Sequence, residues 1–105
     1  MAVAQVGRGT IQGIVSDSTG AIVVGASVQI IQIDTNNTFD LVTNTEGIYV
    51  APNLPVGTYR VVVKQPGFAT LTREPITVRA EVVLGVDFKI QPGAVTETVN
   101  ITGEA

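Results

Sequence analysis

Between residues 82 and 90 apolar and polar positions alternate without a break, with Val82, Leu84, Val86, Phe88 and Ile90 on one side and Val83, Gly85, Asp87 and Lys89 on the other. A period of two predicts a strand with one face in a core, and a one-residue slip would turn all five apolar groups outward, so the pattern itself fixes the register. Residues 58–64 behave alike: Tyr59, Val61 and Val63 are expected inward, and Thr58, Arg60, Val62 and Lys64 outward. Further strands are predicted at 10–16, 27–33, 39–43, 48–51, 70–73 and 76–79. The final segment, 95–102, sets Val95, Val99 and Ile101 against Thr96, Thr98, Asn100 and Thr102, but Glu97 interrupts the apolar face. It reads as an edge strand or a departing linker.

Turn chemistry separates these segments. Asp17-Ser18-Thr19-Gly20 and Asn44-Thr45-Glu46-Gly47 each begin with a side chain that caps its own turn and end on Gly, which suits a type I turn leaving through positive φ. Leu54-Pro55-Val56-Gly57 places Pro second and is again type I, whereas Gln65-Pro66-Gly67-Phe68 and Gln91-Pro92-Gly93-Ala94 place Gly third, as type II requires. Residues 34–38, DTNNT, form a polar loop.

Seven or eight short strands at this spacing predict an all-β fold, an antiparallel Greek-key β-sandwich. Composition agrees, since Val, Ile and Thr supply 41 of 105 residues against four Leu, a balance that suits pleated half-buried surfaces and leaves no helix of consequence. The chain is long enough for one domain with one core. It shows neither an internal repeat nor a low-complexity segment.

Charge and reactive residues narrow the function by exclusion. A net charge of −3, with no two basic residues adjacent, argues against a nucleic-acid surface. The absence of Cys excludes disulfides, iron–sulfur clusters and thiolate zinc sites while leaving the redox compartment open, and the absence of His removes the usual triads, dyads and imidazole metal sites. The nine acids are scattered, so no paired-carboxylate machinery is expected. Asp34, Asn36, Thr38 and Asp40 alternate like calcium ligands, but Phe39 stands where a calcium loop needs Gly, and a polar hairpin loop is the better reading. No catalytic residue, metal or cofactor is therefore predicted. Asn36 and Asn100 lie in glycosylation sequons, which carry no meaning in a bacterial protein. No apolar run approaches the roughly 18 residues of a membrane helix, and Ala2 and Ala4 before Gln5 look like the remnant of an export signal over residues 1–8.

Residues 46–68 concentrate three Gly, three Pro, both Tyr and one Phe. Large rings near sandwich corners bury their bodies and pin loops through a hydroxyl, and a glycan platform would want exposed Trp, of which there is none, so this cluster reads as architecture. The order GIVSDSTGAIVVGASVQI followed by TNTEGIYVAPNLPVGTYRVVVKQPGF resembles the carboxypeptidase regulatory-like domain, a transthyretin-like sandwich related to collagen-adhesin B-type domains, over residues 9–91. The resemblance is carried by Gly47, Tyr49, Asn53, Leu54, Pro55, Gly57, Tyr59, Pro66, Gly67 and Phe68, and Val24 departs from it where many members have Pro.

The resemblance implies a sandwich and says little of activity. The hydrolase branch of transthyretin-like proteins works through His and is excluded here; the internal Lys–Asn bond of adhesin domains is not expected, because Lys64 and Lys89 point outward and Val63 stands where the promoting acid would be. The tail PGAVTETVNITGEA, residues 92–105, resembles the segment joining such a domain to the plug of Oar-like TonB-dependent outer-membrane receptors. The expected function is thus a non-enzymatic accessory module at the periplasmic face of the outer membrane, or at the cell surface, partnered by neighbouring plug and barrel domains or by a second copy through edge strands. A carbohydrate- or peptide-binding module acting through loops around Asn36 and Asn53, and an adhesin stalk repeat, are the alternatives.

Overall fold

A computed structural model describes residues 7–94 and 98–102; the expected export remnant at residues 1–6 and the positions Val95, Thr96 and Glu97 lie outside the described residues. Among the described residues nine strands make two stacked sheets: β1 (Arg8–Asp17), β2 (Ser27–Gln32), β3 (Thr38–Val42), β4 (Ile48–Pro55), β5 (Gly57–Lys64), β6 (Thr70–Val78), β7 (Val83–Gly85), β8 (Phe88–Ile90) and β9 (Thr98–Thr102). The first sheet runs β4-β1-β7 with β8 also on β1, and the second runs β3-β2-β5-β6-β9. Most pairings are antiparallel, as expected, but β7 and β8 run parallel to β1 and β9 runs parallel to β6, so both sheets are mixed.

The core lies where the two inner faces meet. Ile11 and Val15 of β1, Val28 and Ile30 of β2, Tyr49 and Leu54 of β4, and Tyr59, Val61 and Val63 of β5 are buried there with Ile76, Val86, Phe88 and Ile90. The 58–64 alternation is realised residue by residue, with three buried positions between exposed or half-buried neighbours.

Four sequence expectations need correction. The continuous strand at 82–90 is two short ones: Val86, Phe88 and Ile90 are buried and Leu84 half-buried, but Val82 is 39% exposed, because it sits in the turn before β7 and has no sheet above it. Segments 70–73 and 76–79 are one strand, β6, which passes through a cis Glu74–Pro75 bond. The pairing with β5 shifts register there, between Tyr59 and Val61, so Pro75 falls in a bulge where no ladder donor is needed. Strand 48–51 extends to Pro55, since β4 is an edge strand and its prolines can turn their donorless side to solvent. Its own bulge, opposite the Gly9/Ile11 shift, holds Asn53 at a φ of 60°. Finally, Gly93 is not at positive φ, so the type II turn expected at 91–94 does not form; Pro92 instead bridges Phe68 and the Gly93 amide donates to the Gly67 carbonyl at 3.1 Å.

Candidate functional site

The aromatic cluster is built around a break in the β1–β7/β8 ladder. Gln12 pairs with Gly85 before the break and Val15 with Phe88 after it, three steps on each strand, so no residue is inserted. The Val86 amide still donates to the Gln12 carbonyl at 2.8 Å. In a parallel ladder the next bond would run from the Ile14 amide to the Val86 carbonyl. Instead the Ile14 amide donates to Asp87 Oδ1 at 2.9 Å, and the Val86 carbonyl accepts the Tyr49 hydroxyl. Two side chains thus replace one missing backbone bond.

Tyr49 reaches Val86 from the far side of β1, because it pairs directly with Gly13 and a directly opposed pair shares a face. A Cβ on Gly13 would stand 1.9 Å from the Val86 carbonyl oxygen, so only Gly permits the approach. Burial, and secondarily the nearby Asp87 carboxylate, push the Tyr49 phenol well above its ordinary pKa, with Arg73 opposing. It stays a neutral donor. Its ring meets Phe88 at 6.2 Å between centroids with a 50° tilt, and the Arg73 guanidinium stands 5.1 Å from the Phe88 centroid. Arg73 Nε is buried without a hydrogen-bond partner among the described residues, beside the Phe88 ring face.

The other residues that carried the resemblance spread over three corners. Gly47, at a φ of 73°, closes the turn with its amide on the Asn44 carbonyl at 2.9 Å, while Asn44 Oδ1 accepts the Glu46 and Ile48 amides. A Cβ there would meet Ile22 Cβ at 2.9 Å. Leu54 is buried, and the Asn53 carbonyl accepts Arg8 Nη1 at 3.4 Å. Pro55 and Gly57 flank the single residue, Val56, that carries the chain from the first sheet to the second. Tyr59 donates its hydroxyl to the Pro55 carbonyl at 2.6 Å and so pins that crossing from four residues downstream. Pro66, Gly67 (φ of 87°) and Phe68 form the β5–β6 turn, where the Phe68 amide reaches the Gln65 carbonyl at 3.0 Å and the ring packs half-buried against the core. Neither the concavity on the outer face of the first sheet nor the cleft beside β9 is lined by any of them.

Sequence reasoning passed over Gly13, Val86, Asp87 and Arg73. An isolated Gly inside an alternating strand is itself a sign of close backbone approach, so Gly13 was readable. Asp87 sits at an outward strand position where a solvated charge is the ordinary case, and nothing local marks it.

A concavity of about 370 Å³ lies on the outer face of the first sheet and is lined by Gln12, Gly13, Ile14, Ile48, Gly85 and Asp87, without an aromatic ring. Among the described residues no three His, Cys, Asp or Glu side chains come together to hold a metal. In the loop read against calcium, Asp40 Oδ1 instead accepts Gln29 Nε2 at 3.3 Å and the Thr38 hydroxyl donates to the Asn36 carbonyl at 3.3 Å.

Known structures share this architecture. The TIE protein of Bacillus anthracis superposes with a TM-score of 0.68 at 18% identity over 82% of this chain, which spans only 17% of that protein. The 5-hydroxyisourate hydrolase of Klebsiella pneumoniae gives 0.64 at 24% identity, covering 82% of this chain and 92% of its own. A candidate carbohydrate binding protein from Pseudomonas aeruginosa gives 0.59 at 17%, covering 84% and 92%. At these identities the likeness is one of fold. No curated protein sequence matches the chain. Over residues 10–91, from the first residue of β1 paired with β7 to the residue after β8, the sequence matches the carboxypeptidase regulatory-like domain, and the chain belongs to that family.

Proposed function

We propose that this chain is a non-enzymatic interaction module of an exported bacterial protein, placed at the periplasmic face of the outer membrane as the N-terminal module of a TonB-dependent receptor. The observation that carries the non-enzymatic reading is how the polar interior is used. Both tyrosine hydroxyls are committed to backbone carbonyls, that of Tyr49 to Val86 and that of Tyr59 to Pro55. The sequence holds neither His nor Cys to serve as base, nucleophile or soft ligand. What such a domain offers is strand edges and loops, which act by pairing and docking. The receptor context is supported by the resemblance of residues 92–105 to a plug linker and by the small-residue start.

Reading the parent gene beyond the codon for Ala105 tests the context. A plug followed by alternating segments of about ten residues supports it; further copies of this sandwich would favour a surface stalk and end the receptor reading. Turnover by the purified chain on hydroxyisourate or aryl esters would end the non-enzymatic reading. A glycan-binding role has less in its favour: Asn36 and Asn53 each hold a φ of 60°, and the outer concavity has no aromatic floor. Retention of one glycan class on an array would reverse that judgement.

A further inference from the structure

The two sheets present four edges, and three of them are guarded against pairing. The β4 edge carries Pro52 and Pro55, which withhold donors, and a bulge at Asn53. The β7/β8 edge is broken into three-residue pieces at Val86–Asp87. The β3 edge is five residues long with Asp40 at its centre. Among the described residues only the β9 edge, Thr-Val-Asn-Ile-Thr, has no charge, no Pro, no Gly and no bulge, and its pairing with β6 runs unbroken from Thr70↔Thr98 to Glu74↔Thr102. Every second residue of β9 therefore directs its amide and carbonyl away from β6.

The inner side of this strand is also uncovered. Val99 pairs with buried Leu71 and so shares its face, yet it is 45% exposed, because the nearest strand of the first sheet, β8, packs over β6. Between them is a cleft of about 120 Å³ lined by Ala69, Leu71, Lys89, Ile90, Gln91 and Val99.

We infer that the free edge of β9 is a homotypic docking site, where the β9 strands of two copies pair antiparallel about a two-fold axis at Asn100. The sequence of the strand is its own complement. A two-fold through position 100 sets Thr98 against Thr102 of the second copy, Val99 against Ile101, and Asn100 against itself, so every cross-strand pair joins residues of one kind. Each chain carries a net charge of −3, but none of it falls on β9, so the two copies meet without like charges opposed. The two five-stranded sheets become one of ten, and the half-exposed Val99 rows come together over the clefts. A five-residue strand pair buries less than the roughly 1,200 Å² of a stable complex, so the dimer is weak and concentration-dependent. The inference rests on the reading of the domain as an interaction module, and the two fail separately: turnover would end the module reading, and the register test below decides the dimer.

The chain has no cysteine, so single-Cys variants report register directly. In the antiparallel pair, directly opposed positions have Cβ atoms about 5 Å apart, close enough to cross-link, whereas the two copies of position 98 lie roughly 14 Å apart. Under copper-phenanthroline oxidation, Asn100→Cys should form a covalent dimer with itself. Thr98→Cys should not, but should cross-link when mixed with Thr102→Cys. In sedimentation equilibrium the unmodified chain should show a reversible monomer–dimer equilibrium, weakened at least tenfold by Val99→Lys while the near-ultraviolet circular dichroism is unchanged. Self-cross-linking at all three positions would mean parallel or random contact and would overturn the inference, as would a monomeric mass at the highest soluble concentration with no cross-link at position 100.

Discussion

Tyr49 donates its hydroxyl to the main-chain carbonyl of Val86, 37 positions later, by crossing the strand that separates them at Gly13. One phenol thereby ties β4 to the β7–β8 junction across β1, where the regular ladder fails. Removing the hydroxyl in Tyr49→Phe leaves a buried carbonyl unpaired at little cost in packing, so a loss of about 1–3 kcal/mol is expected in urea or guanidinium titration. Gly13→Ala should cost at least as much, because its Cβ would fall 1.9 Å from the same carbonyl oxygen. Since the two changes act on one contact, the double variant should lose clearly less than the sum. Strict additivity would mean that Tyr49 and Gly13 do separate jobs.

Asp87 completes the same repair from the solvent side. Its carboxylate accepts the Ile14 amide at 2.9 Å, so Asp87→Ala should speed hydrogen exchange at Ile14 and cost about 1 kcal/mol, while Asp87→Asn, which keeps an acceptor oxygen, should retain most of the protection. Amide exchange followed by NMR resolves this at one residue. Equal protection in all three proteins would show that the carboxylate is incidental to the ladder.

The sequence made the two-layer arrangement legible because alternation is a local property: the inward set Tyr59, Val61 and Val63 follows from residues 58–64 alone. The same holds for the turns whose Gly must adopt positive φ, since Gly20, Gly47 and Gly67 do so at 91°, 73° and 87°. What was not legible depends on partners remote in sequence. Nothing within residues 82–90 reveals that the strand lies beside β1 in parallel and gives up its ladder at Val86, because the cause is a phenol 37 residues upstream. Segments 70–73 and 76–79 were read as separate strands, although the register shift between β5 and β6 gives Pro75 a place inside one continuous β6. The hydrogen-bond acceptors of the two tyrosine hydroxyls are carbonyls of unremarkable sequence, which no local pattern marks.

Tyr59 offers a cleaner separation of ring from hydroxyl. Its ring is buried beneath the Val56 crossing and its hydroxyl meets the Pro55 carbonyl at 2.6 Å. Tyr59→Ala should cost about 3–5 kcal/mol through the cavity, and Tyr59→Phe about 1 kcal/mol through the lost bond alone. Thermal melts of the two variants check this. An unchanged melting temperature in Tyr59→Ala would place the ring outside the core.

Both phenols also set the alkaline limit of the fold. Burial raises Tyr49 and Tyr59 above the ordinary tyrosine value, with Asp87 adding to the shift at Tyr49 and Arg8 opposing it at Tyr59. An acid whose folded-state pKa lies above its unfolded value of about 10 leaves stability intact below that pH. Above it the unfolded chain binds fewer protons, so stability falls as pH rises from about 10 toward the folded-state values. Absorbance at 295 nm should show tyrosinate appearing together with loss of the near-ultraviolet dichroism, not before it. A tyrosinate signal that develops fully in the folded protein would mean that the rings reach solvent.

The acid limit is set elsewhere, at an exposed turn. Asp17 Oδ1 accepts the Thr19 hydroxyl at 2.6 Å and the Thr19 and Ala21 amides at 2.8 and 3.1 Å. The hydroxyl bond is the largest influence holding the Asp17 carboxyl below the usual carboxylate range; desolvation comes next and opposes it, and the backbone amides add smaller downward contributions. Because the folded-state pKa is the lower one, the turn's contribution is complete above an unfolded value of about 3.9 and is lost as pH falls through the folded-state value. Carboxyl carbon shifts followed by NMR should therefore show Asp17 titrating below its ordinary range. Thr19→Ala should raise it, and Thr19→Ser, which keeps the hydroxyl, should leave it in place. If Thr19→Ala leaves it unmoved, the backbone amides alone hold the charge, and the hydroxyl only follows the geometry that the Gly20 turn imposes.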